Sequence, residues 1–221
     1  MVDWSPIWLT LQLAFVTTVC LFVFGLPICY WITMTKSRIR PFVEALVTLP
    51  LVLPPTVLGF YLLICLSPNS VVGTWLESTL GLRLVFTFPG LVIGSMIYSL
   101  PFMIHPIRSG ILDLPRSYEE AARVLGKSRS TTFLRVLMPN IRPQIITALV
   151  LTFAHTIGEF GVVLMIGGNI PDRTRVASIA IFDAVEMMDY RQAHVYALIL
   201  FLLAMTSLVW TYSRPSKSVP L

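Results

Sequence analysis

Apolar residues fall in long blocks along this chain, separated by short polar segments. Five blocks reach the roughly 20 mostly apolar residues that crossing a bilayer requires. They cover about 8–34, 43–66, 85–107, 144–166 and 193–213. The pattern predicts an all-α, polytopic transmembrane bundle of about five spans, with residues 1–221 forming one domain. Prolines interrupt it: Pro27 in the first block, Pro50, Pro54 and Pro55 in the second, Pro101 and Pro106 late in the third. Each removes an amide donor and distorts a helix. In lipid, the freed carbonyls need partners inside the protein or in a water-filled cavity. The cluster LPLVLPPTVLG at 49–59 therefore predicts helices bent around something.

Two segments outside the blocks have their own period. Val72, Trp75, Leu76 and Leu80 recur at helical spacing and predict a short helix lying in the membrane interface. The stretch TRVASIAIFDAVEMMDY predicts an apolar helix of about twelve residues, too short to span and suited to a re-entrant position.

The stretch RSYEEAARVLGKSRSTTFLRVLMPNIRP, residues 116–143, breaks the apolar pattern at the centre of the chain. Tyr118, Ala121, Ala122 and Leu125 stand at i, i+3, i+4 and i+7, one face of a helix. Glu119, Glu120 and Arg123 fall on the other side. Ser117 and Glu120 match the S-x-x-E capping box, and Gly126 stands where a C-terminal glycine cap belongs. The expectation is a helix of about eight residues, roughly 12 Å long. A second helix is predicted from Ser130 to just before Pro139, packed on the membrane domain through Phe133, Leu134 and Leu137. A solvated loop helix is the plain alternative, but an isolated helix this short is marginal in water. Its apolar face needs a surface, and the small Ala121 and Ala122 allow another protein to approach closely.

Composition agrees with the membrane class. The chain is 56% apolar and 12% charged, where soluble domains carry about a quarter charged residues, and its mean hydropathy is +0.80. The net charge of +5 does not require nucleic acid, because the charge is sided. Lys36, Arg38, Arg40, the seven basic residues from Arg108 to Arg142, Arg214 and Lys217 share one side; Arg83, Arg173, Arg175 and Arg191 lie on the other. Twelve against four places the N-terminus outside, the C-terminus inside and the 116–143 stretch in the cytoplasm. Its position between two spans also argues against a DNA-binding helix–turn–helix. MVDWSPIW lacks the basic n-region of a signal peptide, so the first block is expected to remain as a span. Cys20 and Cys29 are about 13 Å apart on one predicted helix, too far for a disulfide. With Cys65 they read as small buried apolar residues.

Catalytic patterns are missing. The one Gly-Lys-Ser, at 126–128, has Ala121 where a Walker A motif needs its first glycine. No HExxH, GxSxG or paired metal-ligand spacing occurs. His105, His155 and His194 lie in separate blocks and read as hydrogen-bonded helix residues. His155 and Glu159 are one turn apart and are expected to face each other. Glu159 is an ionisable residue within a span, a functional candidate by default. Thr48 and Thr56, with Pro54 and Pro55 between them, are the remaining candidates for a path or gate.

The residues then carry a resemblance. Glu120-Ala121-Ala122, three residues, Gly126, nine residues, and Val136-Leu137-Met138-Pro139 resemble the EAA loop, EAA-x3-G-x9-I-x-L-P, of binding-protein-dependent ABC-transporter permeases. Val136 replaces Ile and Met138 replaces Leu, both apolar exchanges. LPLVLPPTVLGFYLL at 49–63 and IGEFGVVLMIGGNIPDRTR at 157–175 are similar to stretches of molybdate permeases, and the resemblance covers about residues 8–212.

This resemblance implies the transmembrane domain of a type I ABC importer in a bacterial or archaeal cell (inner) membrane. It implies a homodimer with the path at the subunit interface, two cytoplasmic ATP-binding subunits, and a periplasmic or lipid-anchored oxyanion-binding protein outside. Ser117, Tyr118, Glu119, Glu120, Ala121, Ala122, Arg123, Leu125, Gly126 and Pro139 would receive the ATPase. ATP and Mg would belong to that partner, with no cofactor, ATP-binding domain or C-terminal regulatory domain in this chain. Molybdate is a dianion that a carboxylate repels, so Glu159 is expected in a hydrogen-bonded structural or gate role rather than as a substrate ligand. Tungstate or sulfate is the alternative cargo, and ATP-independent secondary transport is the alternative mechanism.

Overall fold

The computed structural model describes residues 3–213, and all regular structure among them is helical. Arg214 and Lys217 lie outside the described residues. Three helices are long and apolar enough to cross a membrane alone: α1 (Ser5–Met34), α5 (Phe88–Leu112) and α11 (Tyr190–Tyr212). Between them stand α2 (Arg40–Val52), α3 (Pro55–Leu66), α4 (Val71–Leu80), α6 (Ser117–Val124), α7 (Arg129–Asn140), α8 (Arg142–Ile157), α9 (Gly161–Gly167) and α10 (Ala177–Glu186).

The central helix is α5, which touches α1, α2, α3, α8 and α9. Its most apolar stretch is 56% buried, against 11% for α11 at the edge of the bundle. Pro101 and Pro106 sit inside α5 without breaking it. α1 buries a stripe of Thr10, Ala14, Thr17, Leu21, Gly25, Cys29 and Ile32. Small residues there let helices approach closely, as membrane bundles require. Two buried threonines of α1 bond back one turn: Thr10 Oγ1 donates to the Pro6 carbonyl and Thr18 Oγ1, beside the stripe, to that of Ala14, each at 2.7 Å. The Thr17 hydroxyl has no partner among the described residues.

Two larger apolar cores divide the bundle along its length, and a smaller cluster of Ile7, Ala177, Ala180 and Tyr196 joins α1, α10 and α11. Leu9, Leu13, Leu91, Val163 and Ile179 form the outer one, beside which Ser5 Oγ meets Asp172 and the Tyr196 hydroxyl donates to the Asp3 carbonyl. Cys29, Ile104, Ile107, Phe133 and Leu137 form the inner one, beside which Arg108 pairs with Glu44. Of the three cysteines only Cys29 is buried; Cys20 is half-buried and Cys65 exposed, so the expectation of three buried thiols holds for one.

The second and fourth blocks are not straight spans. In the second, α2 and α3 meet at Leu53–Pro54 with a bend of 116°. Leu53 precedes a proline and is extended, at ψ 138°, because the pyrrolidine ring crowds the helical conformation of the residue before it. Pro55 then opens α3, where its missing N–H costs nothing. The fourth block becomes α8 and α9 with a break over 158–160. Short α4 forms as predicted, with Ser70 Oγ accepting the Gly73 N–H at 2.8 Å. The predicted apolar helix before the last span is α10, which packs on α11 and α1.

Candidate functional site

The polar insert forms a two-helix unit. α6 ends in a Schellman turn: the Lys127 N–H bonds the Ala122 carbonyl at 3.0 Å and the Gly126 N–H that of Arg123 at 2.9 Å. Gly126 adopts φ +67° there, a conformation open to glycine and costly for other residues. The start of α6 differs from the capping box expected at Ser117. The cap position is Arg116, with no side-chain bond, and Ser117 is already the first helical residue. Glu119 and Glu120 still occupy the first turn, where negative charge is favoured.

The predicted apolar face divides. Ala122 is buried and Tyr118 half-buried, with Tyr118 packed against the core that holds Phe133 and Leu137 and α6 in contact with that turn of α7, whereas Ala121 and Leu125 are exposed. Ala122 therefore admits the chain's own α7, not another protein. Val124 is 87% exposed and Leu125 72%. Val124 was not among the sequence candidates because it falls off the i, i+3, i+4, i+7 series. The adjacent apolar pair Val124-Leu125, next to a glycine stop, was the available signal. Ser117, Glu120, Arg123 and Gly126 are also exposed, and Glu119 is half-buried.

α7 begins at Arg129, one residue before the expected start, with Ser128 Oγ accepting the Thr131 N–H at 3.2 Å. It runs through Pro139 rather than ending before it. A π-turn over Phe133–Leu137 makes this possible, since the Met138 N–H bonds the Phe133 carbonyl and the register shifts just ahead of the proline. Asn140 Nδ2 covers the Val136 carbonyl at 2.6 Å. Phe133 and Leu137 are buried, but Leu134, expected to pack with them, is 59% exposed. The Tyr30 and Phe133 rings meet edge-on at 4.9 Å, fixing α7 to α1. At Ile141 the chain turns 82° into α8.

α8 leads to the second cluster of candidates. The break that follows it, at 158–160, lies against the break of the second block. A Cβ on Gly161 would stand 2.8 Å from Pro55 Cβ, and one on Gly59 would stand 2.8 Å from Met165 Cβ. Two broken spans thus cross through glycines, bringing Pro55 and Thr56 beside the Glu159 segment. Pro54 and Thr56 are exposed at this junction. Thr48 is elsewhere: its hydroxyl bonds the Glu44 carbonyl at 2.8 Å and faces His105 Nε2 at 3.3 Å. Glu44, absent from the sequence candidates, accepts from Arg40 at 2.7 Å and Arg108 at 2.9 Å.

Glu159 is 3% exposed. Neither carboxylate oxygen has a hydrogen-bond partner among the described residues; the Ser95 hydroxyl stands near without hydrogen-bond geometry. The hydrogen-bonded arrangement expected of the Glu159 side chain is not formed among the described residues. The expected pairing with His155 fails as well, because α8 ends at Ile157 and the helical register stops between the two. His155 instead bonds Ser99 Oγ through Nδ1 at 2.9 Å and stacks on Phe102 at 4.0 Å. The Glu159 backbone carbonyl is held by Ser178 Oγ at 2.6 Å.

Residues 9–213 match the model of the binding-protein-dependent transport system inner membrane component family. The chain belongs to that family. It is a multi-pass membrane protein with the fold of ABC-importer transmembrane domains. It is 51% identical over 193 residues to the molybdenum transport system permease protein ModB of Azotobacter vinelandii, covering 87% of this chain and 85% of that one. A putative molybdenum transport system permease protein, YvgM of Bacillus subtilis, is 32% identical over 82% of this chain and 80% of its own length. The sulfate transport system permease protein CysT of Escherichia coli is 34% identical over 85% of this chain and 68% of its own. Among solved structures, the inward-facing MetNI methionine ABC transporter superposes with a TM-score of 0.73 at 17% identity, covering 94% of this chain and 92% of that one.

Proposed function

We propose that this chain is the membrane-spanning subunit of an ATP-driven importer for molybdate, working as a homodimer. The observation that carries the mechanism is the outer face of α6. Val124 and Leu125 stand exposed on a helix that Tyr118 and Ala122 hold against the bundle. Apolar side chains presented this way on the basic, cytoplasmic side fit a partner's cleft. Each α6 docks in one of two ATP-binding subunits, which bind the ATP and Mg; this chain needs no cofactor. Ser117, Glu119, Glu120, Arg123 and Gly126 complete the docking surface, and Pro139 follows the π-turn of α7.

Motion of the ATPase reaches the path through stiff parts. α6 rests on α7, α7 turns into α8, and α8 ends where Gly161 abuts Pro55. A shift of α8 therefore moves the crossing of the two broken spans. Pro54 and Thr56, exposed in one subunit, face the path that a second copy closes. An oxyanion meets hydroxyls and amide groups there, while the buried Glu159 side chain stays off its surface. Weak contacts suffice, since conduction requires release as well as entry. Selectivity then rests with an outer, periplasmic or lipid-anchored oxyanion-binding protein.

Molybdate is favoured over sulfate because the molybdenum permease relative is 51% identical and the sulfate permease relative 34%. Tungstate shares the charge and shape of molybdate. Reconstitution with the ATPase and the binding protein tests the reading: ATP-dependent uptake of molybdate is expected, exceeding that of sulfate. Uptake that persists without the ATPase would establish secondary transport instead, and a preference for sulfate would reassign the cargo.

A further inference from the structure

The geometry points to a built site for one anionic phospholipid on the inner-leaflet side, between α1, α6 and α7. The inference rests on the orientation and ATPase docking proposed above. Two cavities lie here, each lined by residues of α1 and α7 but with no lining residue in common. The first, about 670 Å³, is lined by Lys36, Arg40, Glu119, Arg123, Lys127 and Arg129, with the end of α1 beside them. Arg40 is paired with Glu44. Among the described residues, the other four cations make no ion pair and no side-chain hydrogen bond. Glu119 is the single acid lining the cleft, and it lies beyond ion-pair distance of all of them. Four unpaired cations around one cleft leave mutual repulsion that an anion would relieve.

The second cavity, about 360 Å³, is apolar. Val23, Leu26, Pro27 and Tyr30 of α1 line it together with Phe133 and Leu134 of α7. These α1 positions, at i, i+3, i+4 and i+7, continue one turn later into Thr33 and Met34 of the basic cleft. From Val23 to Lys36 the rise is about 20 Å. One leaflet of hydrocarbon is about 15 Å thick, so an acyl chain in the groove places its headgroup among the cations. A free oxyanion would use the cleft and leave the groove without purpose; a neutral lipid would do the reverse. Val124 and Leu125 line neither cavity. Glu119 and Arg123 belong both to the cleft and to the ATPase docking surface, so the two surfaces meet there, while Lys36, Lys127 and Arg129 remain for the headgroup.

Native mass spectrometry of the full permease, alone and with its ATPase, tests this with phosphatidylglycerol and phosphatidylcholine of matched chains. Phosphatidylglycerol should be retained over phosphatidylcholine in both preparations. A basic residue near an anionic headgroup contributes about fivefold in affinity. Lys36→Gln with Arg129→Gln should therefore weaken phosphatidylglycerol about 25-fold and leave phosphatidylcholine unchanged. Val23→Trp, on an exposed side chain, should fill the groove and lower phosphatidylglycerol retention with every cation in place. It carries the test if the double variant misfolds. Equal retention of the two lipids, no effect of Val23→Trp, or displacement of phosphatidylglycerol by millimolar inorganic phosphate would overturn the site. So would retention confined to preparations without the ATPase, since the partner would then be the occupant. The lipid readout needs no bound ATPase, so loss of docking and loss of lipid are separately visible.

Discussion

Removing the exposed side chains of α6 should weaken the ATPase contact without touching the permease itself. Val124→Ala deletes two methyl-sized groups from a residue 87% exposed, and Leu125→Ala three from one 72% exposed. At about 0.8 kcal/mol per buried carbon, scaled by those exposures, docking loses about 1.4 and 1.7 kcal/mol. Together that is about 3 kcal/mol, or ~100-fold in affinity. The permease should keep its melting temperature, because neither side chain contributes to the core. The assay is binding of the ATP-binding subunit to permease immobilised in nanodiscs, with Val71→Ala as control. Val71 is 89% exposed on the opposite, outer side, and its loss should change nothing. If the double variant binds within threefold of the parent, or the control weakens binding as much, α6 is not the contact surface and the docking account fails.

Other substitutions separate the parts. Ala122→Leu overfills the seat of α6 on α7, at a cost of about 1–3 kcal/mol; faster hydrogen exchange over 117–125 and lower ATP-coupled uptake are expected. Gly126→Ala meets no atom within 4 Å and should cost only about 1 kcal/mol of left-handed backbone strain, read as a small drop in melting temperature. Gly161→Ala must displace Pro55 and the Thr56 backbone. It should destabilise by about 1–3 kcal/mol and alter uptake more than ATPase binding. Glu159→Gln should preserve both assembly and uptake; lost uptake in an intact complex would assign its ionisation to the gate.

Much of this molecule was legible in the chain. Block length fixed the class, because only a helix satisfies its own amides in lipid. The siting of Lys and Arg gave the two faces, and Gly126 marked the end of α6 at the residue where the left-handed turn occurs. Pro54 and Pro55 foretold a bend, since ring sterics act within a residue or two of the proline. What sequence could not supply were facts that depend on what stands opposite. Ser117 had the spacing of a cap, yet the chain enters α6 already helical at Arg116. Ala121 and Ala122 looked alike, and only the packing of α6 against the bundle made Ala122 a buried residue and left Ala121 on the surface. His155 and Glu159 had the spacing of partners, but that rule assumes an unbroken helix. The break after Ile157 is tied to a tertiary contact, Gly161 against Pro55, made by residues about a hundred positions apart. Periodicity and charge act locally or through the solvent and are written in the order of residues. Helix crossings, shared cavities and the loss of a register come from long-range packing, which that order constrains without displaying.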